Sequence, residues 1–369
     1  MQPLSGIRVL DFSTLLPGPM CTLMLAEAGA DVIKIERRGI GDEMRHYEPK
    51  LGDEGVNFAL LNRGKRSLAA NLKDPVAIEH IKSLIKEADV LVEQFRPGVM
   101  QRLGLGFEDL TQINPRLIYC SITGWGQSGP LADVAAHDLN YQAQTGMLSL
   151  SSDDQAQPIV PPTLTADIAG GTYPAVINIL MALRQRDTDN KGRHLDIAMA
   201  DNLFTFMYWG LGSGWATNAW PTPGNELVTG GSPRYRIYRT KDNKYLAVAP
   251  LEERFWETFL EIIGLPELKG AGPMAPVKEE VALRMAQEPL SHWLPKLTTE
   301  DVCVNEVKTL EQATQDPHFL SRNLFVKQVT TPTGETISAL PVPIDDQFRD
   351  GDLDKPYPAL TEQAVQWHK

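Results

Sequence analysis

The sequence predicts an α/β protein in which a large domain with a mostly parallel sheet is followed by a smaller α+β domain. Three observations carry this. Short apolar runs alternate with helical periodicity through the first half of the chain, and the texture changes after residue 200. The composition, 42% hydrophobic and 22% charged over 369 residues, is enough to bury a core of that size. Strand and helix in alternation imply parallel strands covered on both faces.

Taken in order, IRVLDF (7 to 12) is an apolar run broken by LLPGP, and MCTLMLAEAGA reads as a helix ended near Gly29. DVIKIE (31 to 36) follows as a second strand, which completes a βαβ unit. SLAANL (67 to 72) is a third strand, and DPVAIEHIKSLIKEA a helix with Asp74 as cap and Pro75 at its first position. VLVEQF (90 to 95) and RLIYCSITGW (116 to 125) add two more strands. The aromatic and glycine-rich stretch 203–225 reads as a buried helix and then a linker, so the large domain spans 1–200, the linker 201–225 and the small domain 226–322. Within the small domain, 234–250 is a hairpin turning at KDNK, and ERFWETFLEIIG (253 to 264) is an amphipathic helix closed by glycine. Residues 324–344 form strands around a TPTG turn, and 323–369 return to the large domain.

Composition excludes several function classes. A formal charge of -12 argues against a nucleic-acid or anionic-membrane surface, so a phosphate-bearing ligand needs a local cation cluster. Arg37 and Arg38 follow the second predicted strand, Arg63, Lys65 and Arg66 lie just before the third, Lys73 ends it, and Arg96 and Arg102 follow the fourth. Most of the set thus lies at or near carboxyl ends of strands, where such sheets bind ligands. They form either a polyphosphate site or a set of solvated charges. Cys21, Cys120 and Cys303 are too scattered for a disulfide framework or a zinc site and read as core residues; the other histidines also show no metal spacing. The start lacks a signal-peptide pattern, and no apolar run approaches the ~20 residues of a membrane span, which suggests a cytoplasmic protein. No GxGxxG follows the first strand, and no GxSxG is present, against a dinucleotide cofactor and a serine hydrolase. His194, beside a strand-like run, reads as structural. AAHDLNYQAQTG (135 to 146) places His137 before Asp138, where the histidine is either an acid/base group or a polar loop residue.

The segments PLSGIRVLDFSTLLPGPMCTLMLAEAGADVIKIERR, NRGKRSLAANLKDP, DVLVEQFRPGVMQRLG and RLIYCSITGWGQSGP together resemble the CaiB/BaiF family of family III CoA-transferases and α-methylacyl-CoA racemases. The resemblance covers nearly the whole chain. It implies a Rossmann-like large domain, an interlocked homodimer and an acyl-CoA thioester as ligand, with no cofactor beyond the CoA of the substrate. In the racemase branch HDLNY and ADFAGG are typical; this chain has HDLNY and ADIAGG, which implies His137 and Asp167 as paired acid and base with Glu252 of PLEERF orienting the histidine. The short TGGSPRY loop, with only Gly230 and Gly231, is racemase-like, whereas the long segment from Arg37 to Ser67 is transferase-like. In the transferase branch Asp167 is a nucleophile. By resemblance the CoA surface includes Arg37, Ala70, Asn71, Leu72, Lys73, Gln94, Phe95, Arg96, Arg102, Ala136, Asp138, Leu139, Asn140 and Tyr141. Asp138 is expected to anchor its loop, and Tyr141 to bond to it or line the thioester pocket.

Racemisation at a thioester α-carbon removes a proton from one face and returns one to the other, so two groups of matched basicity must flank a planar enolate. Imidazole titrates near pH 7, while a carboxyl must be desolvated to hold a proton there. A backbone amide near Asp167, at the start of the helix that follows it, is the expected donor to the enolate oxygen. The alternatives are acyl transfer through Asp167 and a non-catalytic acyl-CoA binder.

Overall fold

Six short apolar runs, most of them buried on both faces, pair in parallel to form the central sheet. In chain order they are β1 (Arg8–Asp11), β2 (Asp31–Arg37), β3 (Arg66–Ala70), β4 (Val90–Glu93), β5 (Ile118–Thr123) and β6 (Arg193–Ala198). Their spatial order is β3-β2-β1-β4-β5-β6. The chain leaves β1 toward β2 and later returns to β4, and the diverging connections open a crevice at the carboxyl ends of β1 and β4. The strands are shorter than periodicity alone suggests. β3 stops at Ala70 because Asn71 closes a turn, its carbonyl accepting the Asp74 N–H at 2.9 Å and its side chain the Lys73 N–H at 3.1 Å. β4 stops at Glu93, whose carboxylate takes the Phe95 N–H at 2.8 Å.

This computed structural model describes residues 1–152, 157–331 and 333–368. They divide into two compact units, one of Met1–Thr145, Pro162–Phe206 and His318–Lys369, the other of Gly146–Pro161 and Met207–Pro317. In the first unit, α1 (Pro17–Glu27) is buried along its whole length, begins with proline where no N–H partner is needed, and is ended by Gly29 at φ +103°. α2 (Pro75–Ile85) is capped by Asp74, which accepts the Val76 N–H at 3.0 Å, and buries only the stripe Ile81, Leu84 and Ile85. Two short helical elements that carry the site, α3 (Asp138–Gln144) and the turn before α4 (Tyr173–Asp189), are described below. The continuous helical run Ala166–Asp189 has the length and apolarity of a membrane span, longer than the sequence pattern indicated. One face is packed into the core through Ala175, Ile179, Ala182 and Leu183, and Arg186 pairs with Asp89 at 2.8 Å, while Ile177, Leu180 and Met181 are exposed. The C-terminal segment adds β10 (Gln328–Thr330) and β11 (Thr336–Ser338), antiparallel, with β12 (Asp354–Pro356) parallel to β10. Of the TPTG turn, Pro332 lies outside the described residues. Val329, Val342 and Tyr357 share a core with Met24 and Phe58 of the same unit.

The second unit holds the antiparallel strands β7 (Arg236–Arg239), β8 (Tyr245–Val248) and β9 (Val304–Glu306). Helix α5 (Glu253–Ile263) lays Trp256, Phe259, Leu260 and Ile263 on their core and ends at Gly264 with φ +78°. The aromatic stretch after residue 203 is helical over Tyr208–Thr217 but is not buried as expected. Its glycines face inward, Gly210 under Pro221 and Gly214 under Trp220, so Tyr208 and Trp215 are left 75% exposed. Cys21 and Cys120 are core residues, as expected, while Cys303 is only half-buried.

Charge is buried beneath the crevice. Asp11, fully buried, accepts Thr22 Oγ1 at 2.5 Å and Lys65 Nζ at 3.1 Å. Burial would raise its pKa, but Lys34, Lys65 and the hydroxyls of Ser13 and Thr22 outweigh it and hold the carboxyl well below the ordinary range. Arg63 is likewise buried on Glu27 at 3.0 Å, and Arg66 pairs with Asp31 at 2.6 Å. Arg63, Lys65 and Arg66 therefore leave the phosphate-ligand set: each is held in an internal ion pair. Lys65→Met removes the direct partner of a buried carboxylate and is expected to cost about 3–5 kcal/mol of stability, read from the urea midpoint. The stabilisation from Asp11 is present above the unfolded carboxylate range and lost as pH falls, so the variant and the wild type should converge on acidification.

Candidate active site

A cleft of about 400 Å³ opens where the fold places it, at the carboxyl ends of β1, β4 and β5. Thr14, Leu15 and Pro17 come from the loop after β1, Gln94, Phe95, Arg96 and Pro97 from the loop after β4, and Thr123, Gly124 and Trp125 from the end of β5. The first two loops are tied together, Gln94 Oε1 accepting the Gly18 N–H at 2.9 Å. Ala136, His137, Asn140 and Tyr141, with Ala132, Val134 and Ala135 before them, supply another wall, and Asp167 and Met199 also line the cleft.

His137 sits at the N-cap of α3, where its extended backbone is held by Asn140, whose Oδ1 accepts the His137 N–H at 3.0 Å. The ring is thus carried at a helix start and is exposed on the cleft. Asp138 points the other way and is buried, with Oδ2 taking Gln142 Nε2 at 2.6 Å. Its Oδ1 accepts the Asp167 N–H at 3.0 Å, so the residue that anchors the histidine loop also holds the second carboxylate. Tyr141 lines the cleft but donates to the Ala136 carbonyl at 2.9 Å rather than to Asp138. Its ring meets Trp125 edge-on at 4.9 Å and covers Gly124, where a Cβ would lie 2.3 Å from it.

Asp167 lies in a turn of π-helix, Ala166–Thr172, that continues into α4. Such turns recur at functional sites because the wider ring shifts side chains off the regular face. The glycines of ADIAGG explain the placement. A Cβ on Gly170 would stand 2.3 Å from the Met199 carbonyl oxygen, and one on Gly171 would press on the Met199 side chain at 3.0 Å. Thr172 Oγ1 donates to the Pro17 carbonyl at 2.8 Å, and Asn202 Nδ2 to that of Gly170 at 2.8 Å. Burial, with the nearby Asp138 charge adding to it, pushes the Asp167 carboxyl up to about 7. A second buried carboxyl, Glu93, is also pushed up to about 7 by burial, and it holds the loop that carries Arg96.

The structure brings His137, Asp167, Gln94, Phe95, Arg96, Ala136, Asn140 and Tyr141 to one cleft, with Asp138 directly beneath. Arg37 and Arg102 are exposed near the ends of β2 and β4 and lie outside its lining, as do Ala70, Asn71, Leu72 and Lys73 at the end of β3, and Leu139. Glu252 is the exposed N-cap of α5 in the second unit. Two of the amides near Asp167 are already engaged, the Asp167 N–H with Asp138 and the Ile168 N–H with the Leu164 carbonyl at 3.1 Å. Sequence reasoning missed Thr14, Leu15, Trp125 and Met199, although LLPGP directly after the first strand was the available signal. His194 is structural: it meets Ser121 Oγ at 2.9 Å and stacks on Phe107 at 5.3 Å. Among the described residues no group of three or more His, Cys, Asp or Glu could hold a metal.

A doubly wound sheet whose switch-point cleft holds a histidine and a carboxyl pushed up to about 7 by burial has the groups that proton or acyl transfer requires. Comparison with known proteins narrows the class. The model of CoA-transferase family III matches residues 4–364. The human α-methylacyl-CoA racemase is 35% identical over 353 residues, covering 92% of this chain and 86% of its own. The acetyl-CoA:oxalate CoA-transferase of Acetobacter aceti is 33% identical over 336 residues, covering 88% and 86%. A CaiB/BaiF family protein from Brucella suis superposes with a TM-score of 0.84 at 29% identity, over 98% of this chain and 97% of that one. The chain belongs to CoA-transferase family III, the CaiB/BaiF family, whose members include racemases and CoA-transferases.

The Asp167 carboxyl titrates far above its ordinary value of 3.8, so between that value and about 7 the folded protein holds a proton that the unfolded chain releases. Its contribution to stability therefore falls as pH rises through that window. Asp167→Asn removes the titration, and its advantage in Tm over the wild type should grow from pH 5 to pH 8. A difference independent of pH would contradict the assignment.

Proposed function

We propose that this protein is a cofactor-independent racemase or epimerase of 2-methyl-branched acyl-CoA thioesters, with His137 and Asp167 as the acid/base pair. The observation that carries the reading is their common cleft, in which the Asp167 carboxyl has been raised into the range where imidazole ordinarily titrates. One member of the pair, as a base, takes the α-proton and leaves an enolate. The other, as an acid, returns a proton to the opposite face, and the protonation states exchange in the reverse direction. Arg96 on the cleft wall suits a phosphate or the enolate oxygen. The racemase-like HDLNY motif and the racemase relative support the same reading. Glu252, Arg37, Arg102, the Ala70 to Lys73 segment and an interlocked homodimer belong to the proposal on the family resemblance.

The second reading is a CoA-transferase in which Asp167 attacks the thioester, forms a mixed anhydride and expels CoA as the thiolate. Transferase relatives at similar identity favour it.

One incubation separates these readings from a non-catalytic binder. In deuterated water, with a single epimer of a 2-methylacyl-CoA and no acceptor acid, a racemase washes deuterium into the α-position and yields both epimers. A transferase does neither, but with a second acid it exchanges CoA, and hydroxylamine traps an acyl group on Asp167. A binder is silent in both tests. His137→Ala is expected to abolish inversion, leaving at most exchange on the face served by Asp167. Full racemisation by that variant would sink the assignment.

A further inference from the structure

Leu15, in the cleft wall between β1 and α1, has φ +60°. A bulky side chain rarely occupies this left-handed region, because its Cβ crowds the following carbonyl. Glycine or asparagine would hold the same turn with less strain, so something must over-determine the backbone here. The surrounding residues supply it. The Leu15 N–H points at both oxygens of Asp42, 3.3 Å from each. Asp42 is buried and is itself fixed by the Met44 N–H at 3.0 Å and by Lys34 Nζ at 3.1 Å, with the Asp42 and Lys34 side chains fully excluded from water. Lys34 also donates to the Ser13 carbonyl at 2.6 Å, and the Ser13 N–H is held by Asp11 at 2.9 Å. The loop is clamped on both sides of Thr14 by buried charges. Leu15, half-buried and packed in part against the core around Met20, Met24 and Met44, lines the cleft that also holds His137 and Asp167.

We infer that Asp42, backed by Lys34, is a positioning residue that holds Leu15 as an apolar wall for the acyl group. Leu15 in turn selects apolar branched acyl chains over chains ending in a carboxylate. A carboxylate pressed against a leucine gains no hydrogen bond from it and loses hydration, whereas a methyl branch gains contact. The inference rests on the acyl-CoA reading above.

The test uses the full-length protein and two independent readouts. Amide exchange of a peptide spanning residues 12–20, followed by mass spectrometry, reports the clamp without any ligand. Asp42→Asn should speed exchange in this peptide about tenfold or more, with peptides from β4 and β5 unchanged. Calorimetry with isobutyryl-CoA, succinyl-CoA and free CoA reports the wall. The wild type should bind isobutyryl-CoA more tightly than succinyl-CoA, and Leu15→Gly, which leaves the charge network intact, should shrink that preference at least about tenfold while free CoA binds as before. Asp42→Asn should shrink it in the same direction. If Asp42→Asn fails to fold, Leu15→Gly decides the wall alone. Unchanged exchange in Asp42→Asn overturns the clamp, and an undiminished preference in Leu15→Gly overturns the selectivity. Failure of the wild type to bind any of the three CoA compounds would count against the acyl-CoA reading, while the exchange arm would still decide the clamp.

Discussion

Asp11 ends the first strand with no exposed surface, and its carboxylate gathers Ser13, Thr22, Lys65 and the field of Lys34. An unpaired carboxylate at that depth would be prohibitive, so each partner is as necessary as the charge it meets. The consequence is geometric. At the point where the sheet reverses its strand order, the last strand bond of the departing chain is the Phe12 N–H to the Val92 carbonyl of β4 at 2.8 Å. Beyond it the backbone of Ser13 and Leu15 is held by the side chains of Asp11, Lys34 and Asp42. Lys65 extends the same knot to Asn62 and the Pro19 carbonyl, joining the segment before β3 to the start of α1. The loops lining the cleft inherit their positions from it.

A second tier fixes the reacting groups. His137 and Asp138 are neighbours with opposite tasks, one exposed on the cleft and the other buried under it. Asp138 accepts the Asp167 N–H, and its charge adds to burial in keeping that carboxyl protonated up to about 7. A helix start usually offers its free N–H groups to an anion and stabilises it. Here the first such group is already taken, so the local dipole does little to lower the Asp167 pKa. The close approach of the π-helical turn to Met199, possible because Gly170 and Gly171 carry no Cβ, supplies the burial. Packing and proton affinity are set by the same few residues.

Much of this was legible in the chain. The strand runs, the Asp74-Pro75 helix start, the glycine stops and the KDNK hairpin are local signals, and local backbone chemistry decides them. HDLNY and ADIAGG marked the two sides of the cleft, and the resemblance that they carry agrees with the family to which the chain belongs. The cations were harder to read. Arg63, Lys65, Arg66 and Arg96 look alike in sequence, yet three are held in internal ion pairs and one lines the cleft. Their acidic partners, Glu27, Asp11 and Asp31, lie more than thirty residues away, beyond the reach of any pattern. The helix over Tyr208–Thr217 misled for a related reason, since its glycines rather than its aromatics face inward.

The sequence by itself determined the elements, their parallel arrangement and the two motifs of the site, because periodicity, caps and turn residues act over a few bonds. Tertiary structure alone decided which carboxyls hold a proton near pH 7, which cations are free to meet a ligand, and why Leu15 occupies a strained backbone conformation. Those properties depend on burial and on charges contributed by distant segments. Asp138 and Asp167 become one electrostatic unit only when α3 and the π-helical turn are packed together, and Asp42 reaches Leu15 only after β2 has been laid beside β1.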